Sequence, residues 1–291
     1  SSDFNMLADK SKQDYQYFIK NMLLTNVDGR HLSRIYLKNM TSAKAKKAYE
    51  VWLNRGISMA NHICSVSRKM YSYGMEMGYV QSNPFSTFKC RTPKSRKTLW
   101  TRDQVTQFLD YAYTNFKTRN LGLIVQMAYE WCQRIGDMRL LKFEYIDFDN
   151  GILHLEQSKR RATVHLPISD ELLAMLVQQK EDYGFQEYVA PMPKAIRGAY
   201  KPYSLHGISK LGRVAMSSAG LSNELRLADL RRTGTTEMVE AGVSMGQIMS
   251  VTGHANPNSV MPYMKNTYLS AKKALTTRES VVISTRQVPN S

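Results

Sequence analysis

A chain of 291 residues with 43% hydrophobic content exceeds one typical domain and has ample apolar residues for two buried cores. Its 40 Lys and Arg against 24 Asp and Glu leave a net charge of +16, a surplus that favours a polyanionic partner, nucleic acid first. Three scattered cysteines (Cys64, Cys90, Cys132) without a CxxC pair argue against a disulfide framework or a zinc site, and no run approaches the roughly 20 apolar residues that span a bilayer. These features lead to the expectation of a metal-free protein in a reducing compartment, the cytoplasm or a bacterial nucleoid, with no membrane partner.

The chain opens on Ser1-Ser2 without an initiator Met, which leaves room for a further N-terminal module. Residues 1–88 read as an all-helical domain. In TSAKAKKAYEVWLNRG, Thr41 or Ser42 serves as N-cap, Ala48, Val51, Trp52 and Leu53 fall on or near one face, and Gly56 ends the helix. A second helix begins at Ser58 and continues to Asn83-Pro84, because the residue before a proline is biased away from helix.

Residues 89–99 read as a linker. Lys89, Arg91, Lys94, Arg96 and Lys97 crowd around Pro93 with almost nothing apolar to bury. Such a run is either a solvated tether or a segment lying along phosphates, and five cations within nine residues suit counterion release on DNA.

A second domain is expected over residues 100–278. Thr101 and Gln104 stand at capping-box spacing at its first helix. Residues 152–156 and 163–168 read as short strands joined through QSKRRA, and helical patterns resume around 170–180, 208–218, 229–241 and 245–252. Residues 279–291 read as a tail. The fold class is mainly α with a small β-sheet, an α+β domain following a helical one.

Taken singly, the chemically interesting residues have plain readings, since one Tyr among 17 usually packs and one Arg is usually a solvated charge. Their order carries more. Arg134 follows an apolar helical run, and Asp137 lies three residues on, neighbours if the helix continues, so the carboxylate can orient the guanidinium or form an ordinary surface pair. Lys159 sits with Arg160 and Arg161 in the turn between the two strands, either a soluble hairpin tip or a phosphate contact. Asp229-Leu230-Arg231-Arg232-Thr233 is followed by Gly253-His254 and, nine residues after the histidine, by Tyr263.

These last segments resemble the second and third conserved boxes of the tyrosine recombinases (phage integrases): His-x-Leu-Arg, Leu-Gly-His, then a nucleophilic Tyr nine residues on. Arg134 lies in a stretch similar to the family's Thr-Gly-x-Arg-x-x-Glu box, and Lys159 in EQSKRRATVHLPI falls between two strands in the right order. The resemblance covers about residues 101–270, and the segment before the basic linker resembles the family's core-binding domain.

The resemblance implies that Tyr263 forms a 3′-phosphotyrosine, Arg134 and Arg231 clamp the phosphate, His254 donates a hydrogen bond to it, Lys159 protonates the departing 5′-oxygen, and Asp137 supports Arg134. The linker cations with Arg160, Arg161 and Arg232 would contact double-stranded DNA. A homotetramer on DNA is implied, with DNA-bending accessory proteins as further partners and no cofactor.

Two departures stand out. Cys132-Gln133 replace the Thr-Gly pair and Asp137 replaces Glu; and Ala228 occupies the place of the histidine in His-x-Leu-Arg, with His206 lying 25 residues before Arg231 and unable to substitute by register. Alternatives are a DNA-binding relative whose cleavage is impaired by Ala228, a helix-turn-helix reader built on 229–252, and a type IB topoisomerase-like enzyme. The helix-turn-helix reading leaves the His254-to-Tyr263 spacing unexplained.

Overall fold

A computed structural model describes residues 2–94, 96, 98–159, 161–264, 271–272 and 274–280. The chain divides into two compact units, Ser1–Arg96 and Lys97–Ser291.

The first unit contains α1 (Ser2–Asn5), α2 (Asp9–Leu23), α3 (Ser42–Leu53) and α4 (Ile57–Glu76). Thr41 caps α3, its hydroxyl accepting from the Lys44 N–H at 3.3 Å. Ala45, Ala48, Tyr49 and Trp52 face inward at helical spacing, whereas Val51, expected on that face, is exposed. The Trp52 ring stacks on Phe85 at 5.9 Å, and its indole N–H finds the Thr25 hydroxyl at 2.7 Å, so a buried polar hydrogen is satisfied.

Two expectations for this unit are corrected. It is not all-helical: β1 (Asn26–Val27) pairs antiparallel with β2 (Arg30–His31) around Asp28-Gly29, both at positive φ. Asp-Gly is a preferred sequence for such a turn. And α4 stops at Glu76, not at Pro84, because Gly78 takes φ +73 and the chain folds back, with Tyr79 N–H bonded to the Gly74 carbonyl at 2.8 Å. Beyond it, Phe88 and Cys90 pack on this core, and the Arg91 N–H donates to the Tyr49 hydroxyl at 2.8 Å. The start of the basic segment is thus seated, while Lys89, Arg91 and Lys94 keep exposed side chains.

In the second unit α5 (Arg102–Tyr113) opens with the expected capping box at Thr101 and Gln104. It packs on α6 (Phe116–Glu130), which is buried along most of its length. Then come α7 (Ile135–Met138) and a three-stranded antiparallel sheet, β3 (Ile146–Asp147), β4 (Ile152–Glu156) and β5 (Thr163–Pro167), of which β3 was not anticipated. Leu153, Leu155, Val164 and Leu166 alternate toward the core, with His154 and His165 paired on the outer face. Helices α8 (Asp170–Tyr183), α9 (Leu205–Ser218), α10 (Leu230–Ala241) and α11 (Met245–Thr252) follow. The result is mainly α with a small sheet, as expected.

Trp100 clips the beginning of this unit to its distant parts. Its N–H donates to the Thr233 hydroxyl at 3.1 Å and its indole to the Arg226 carbonyl at 2.9 Å. Among the described residues no helix is long and apolar enough to cross a membrane.

Candidate active site

Arg134 does not lie inside a helix, as the pairing with Asp137 assumed; it is the extended N-cap of α7. The pair forms all the same, because the first turn of α7 brings Asp137 Oδ2 to 3.6 Å from the Arg134 guanidinium. Asp137 is buried, and its Oδ1 accepts from the backbone N–H of Ser158 at 3.2 Å and from the Ser158 hydroxyl. One carboxylate therefore ties α7 to the hairpin that bears Lys159.

The backbone also corrects the alignment of the first box. Cys132 sits at φ +51, the left-handed conformation that favours glycine. Counting back from Arg134, the Thr-Gly pair thus corresponds to Trp131-Cys132, and Gln133 is the variable position rather than the replaced glycine.

Arg231, in the first turn of α10, is 8% exposed. Its guanidinium donates to the Thr252 carbonyl at 2.6 Å and to Gln133 Oε1 at 3.3 Å, and it lies 3.3 Å from His254 Nε2. Burial, with the neighbouring Arg134 adding to it, pulls its pKa down to about 10, which leaves it charged at neutral pH. Arg134 is half-buried and donates to Gln157 Oε1 at 2.9 Å.

The αL turn at Gly253, φ +65, ends α11 and delivers His254 inward. The Thr252 hydroxyl spends its proton on the Ile248 carbonyl at 2.7 Å, so it accepts from His254 Nδ1 at 2.7 Å. That assigns the hydrogen of neutral His254 to Nδ1 and leaves Nε2 toward Arg231 as acceptor.

Arg134, Arg231, His254 and Tyr263 all line one cavity of about 620 Å³. Tyr263 ends a three-residue 3₁₀ turn, Met261–Tyr263, half-buried, with its ring 6.3 Å from that of His254. Ala228 is exposed on the wall of the same cavity, so the place of the missing imidazole is open space. Lys159 is in the turn between β4 and β5, exposed, and is not among the cavity's lining residues. Arg161 is exposed and Arg232 half-buried; Lys97 and Arg160 lie outside the described residues, as do parts of the segment after Tyr263 and of the tail.

Sequence reasoning missed several members. Arg213 on α9 and Arg226 before Ala228 line the cavity beside the other two arginines, and Gln133 and Gln157 are buried between Arg134 and Arg231. The glutamines flank the flagged residues in the chain, one directly before Arg134 and one two residues before Lys159, and that adjacency was the available signal.

Residues 98–269 match the Phage integrase family, and the chain belongs to that family. The shufflon-specific DNA recombinase of Escherichia coli is 24% identical over 151 residues, which cover 51% of this chain and 36% of that protein. A tyrosine recombinase of Pseudothermotoga lettingae is 19% identical over 86% of this chain and 84% of its own length. Among solved structures, a lambda integrase dimer bound to a COC′ core site superposes with a TM-score of 0.73, at 20% identity, covering 90% of this chain and 91% of that one. Lambda integrase is also known as a tetramer bound to a Holliday junction, with a TM-score of 0.71 at 19% identity over 89% of this chain and 73% of that one.

Proposed function

We propose that this protein is a site-specific DNA recombinase that cuts and rejoins strands through a covalent bond between Tyr263 and DNA. The observation that carries the reading is the opening of Arg134, Arg231, His254 and Tyr263 onto a single cavity. The Tyr263 oxygen attacks the scissile phosphorus, and the bond to the 5′-oxygen breaks. A 3′-phosphotyrosine and a 5′-hydroxyl result, so the energy of the phosphodiester is kept for rejoining and no nucleotide is consumed. The 5′-hydroxyl of a partner strand then attacks that phosphotyrosine and releases the phenol.

Displacement at phosphorus gathers negative charge on the non-bridging oxygens. Arg134 and Arg231 are the planar donors for that charge, already aligned before substrate arrives. His254 adds a donor; with Nδ1 engaged by Thr252, donation from Nε2 requires the imidazolium. Lys159, in its exposed turn, supplies the proton to the leaving 5′-oxygen once DNA is seated against the hairpin. Ala228 offers no group to receive the phenolic proton, so the proton passes to solvent while the surrounding cations stabilise the phenolate charge.

Lys89, Arg91, Lys94, Arg96, Lys97, Arg160, Arg161 and Arg232 are the proposed phosphate contacts outside the cavity. Exchange of two duplexes needs four such sites, which makes a homotetramer on DNA the working assembly, with DNA-bending proteins as accessory partners and the cytoplasmic chromosome as its place of action.

The test is a nicked suicide duplex, selected from random sequence by binding and resolved on a denaturing gel. A protein–DNA adduct that disappears in Tyr263→Phe is the expected result. Tight, salt-sensitive binding without an adduct would instead favour a DNA-binding relative in which Ala228 has removed cleavage.

A further inference from the structure

Gln133 and Gln157 are fully buried, and neither belongs to the reacting set. Every hydrogen-bonding group of both amides is used. Gln157 accepts at Oε1 from Arg134 at 2.9 Å and donates its two amide hydrogens to Gln133 Oε1 at 2.7 Å and the Thr252 carbonyl at 2.8 Å. Gln133 accepts at Oε1 from Gln157 and from Arg231 at 3.3 Å, and donates to the Trp131 and Val251 carbonyls, each at 2.8 Å. Turning either amide over would set donors against guanidinium hydrogens and oxygens against carbonyls, so only one orientation of the pair is compatible with its surroundings.

The chain around the pair is shaped to admit it. A Cβ on Gly253 would stand 2.6 Å from Gln157 Nε2, so only glycine leaves the amide room there. Four segments distant in sequence converge on it: the end of α6, the end of β4, the start of α10 and the end of α11.

The choice of amide over carboxylate has an electrostatic consequence. Arg134 and Arg231 are close enough for one to depress the pKa of the other, so they need acceptors to hold them side by side. Asp137 already stands 3.6 Å from Arg134, and further carboxylates in the places of the two amides would neutralise both guanidiniums and compete with phosphate. An amide oxygen orients a guanidinium and leaves its charge in place.

We infer that the Gln133–Gln157 pair is the positioning device of this site. It fixes the spacing of Arg134 and Arg231 while leaving their charge for the scissile phosphate, and it makes that spacing depend on the seating of the hairpin that carries Lys159. The inference builds on the recombinase reading for its catalytic consequence, but not for its geometry.

The variants are Gln157→Met, Gln133→Met and the double, which keep length and remove the hydrogen bonds. Single-turnover adduct formation is measured on a suicide duplex with an ordinary scissile phosphate and on one with a methylphosphonate there, which carries no negative charge and needs the guanidinium clamp least. On the phosphate each single variant is slower by about 10- to 100-fold, with DNA affinity within about two-fold of wild type, and the double is no slower than the worse single. On the methylphosphonate the variants approach the wild-type rate. Equal losses on both substrates, or multiplying losses in the double, overturn the inference.

Gln157→Glu keeps the shape and adds a charge, which guards against misfolded Met variants. It slows the phosphate reaction at least as much as Gln157→Met, and a near-wild-type rate in it also overturns the inference. A second arm needs no DNA: ¹⁵N NMR of the arginine side chains should show slowly rotating, separate Nη signals for Arg134 and Arg231 that merge in Gln157→Met. If wild type forms no adduct, the recombinase reading fails while this arm still decides the positioning role; unchanged Nη signals reject it.

Discussion

Arg231 and Tyr263 face the same cavity and are held in opposite ways. Arg231 is buried at the head of a twelve-residue helix, and its hydrogen-bonding partners come from two other segments. Tyr263 is half-buried at the end of a three-residue turn, with a tilted ring contact to His254. Lys159 resembles Tyr263 more than Arg231, being exposed in a hairpin turn. Groups that must meet developing charge lose least when aligned in advance. Tyr263 and Lys159, the groups proposed to make and break bonds to DNA, sit instead on short segments, a three-residue turn and a hairpin tip.

The largest effect that bears on this contrast is Tyr263→Phe, which should abolish the covalent adduct on a denaturing gel and leave DNA binding intact. Arg231→Ala should slow cleavage by roughly 10²- to 10³-fold, because a charge aligned in advance is lost and its neighbours keep acceptors without a donor. A loss below about ten-fold would break the claim that the buried side of the cavity carries the phosphate. Lys159→Ala should cost about 10²-fold on ordinary DNA and recover on a duplex with a 5′-bridging sulfur, since a thiolate departs without a proton. Absence of that recovery would move Lys159 from chemistry to DNA binding.

Ala228→His fills open space on the cavity wall and should raise the cleavage rate, by about ten-fold in a single-turnover assay; no gain would mean that the remaining groups already do this work. The smallest expected change tests the rigidity behind Arg134. Gly234→Ala would place a Cβ 2.6 Å from Cys132 Sγ and 3.1 Å from the Tyr129 carbonyl, and should cost about 1–3 kcal/mol in a denaturant titration. Adding Cys132→Gly, which removes the nearer atom and eases the positive φ, should recover most of that loss.

Tyr263, His254 and Arg231 were legible because the signals that mark them are local: fixed spacings along one stretch of chain. The hairpin bearing Lys159 was legible from alternating residues on either side of it. The end of α4 was misplaced at Pro84, because the stop signal in Gly78 went unread, although a glycine in the left-handed region ends a helix as firmly as a proline ahead. Asp28-Gly29 likewise marked a turn that the helical pattern around it hid.

Gln133 and Gln157 show what sequence does not carry. They stand 24 residues apart, and what unites them is the complementarity of two amides across segments that meet only in the folded chain. No periodicity records that. Arg213 and Arg226 are similar cases, two among 40 basic residues until α9 and the loop before α10 bring them to one wall. Arg134 was recognised for the right partner with the wrong local geometry, because an N-cap and a helical residue place a side chain three positions ahead at comparable distances.

The two hydrogen bonds of Trp100 have a consequence for how the protein comes into being. They join the first residues of the second unit to residues 126 and 133 positions later. Closing so long a loop is slow compared with forming the helices and hairpin in between. During synthesis α5, α6 and the sheet leave the ribosome well before Arg231, and the carbonyl of Thr252 that holds Arg231 follows later still. A growing chain therefore acquires its basic segment long before it has a cavity.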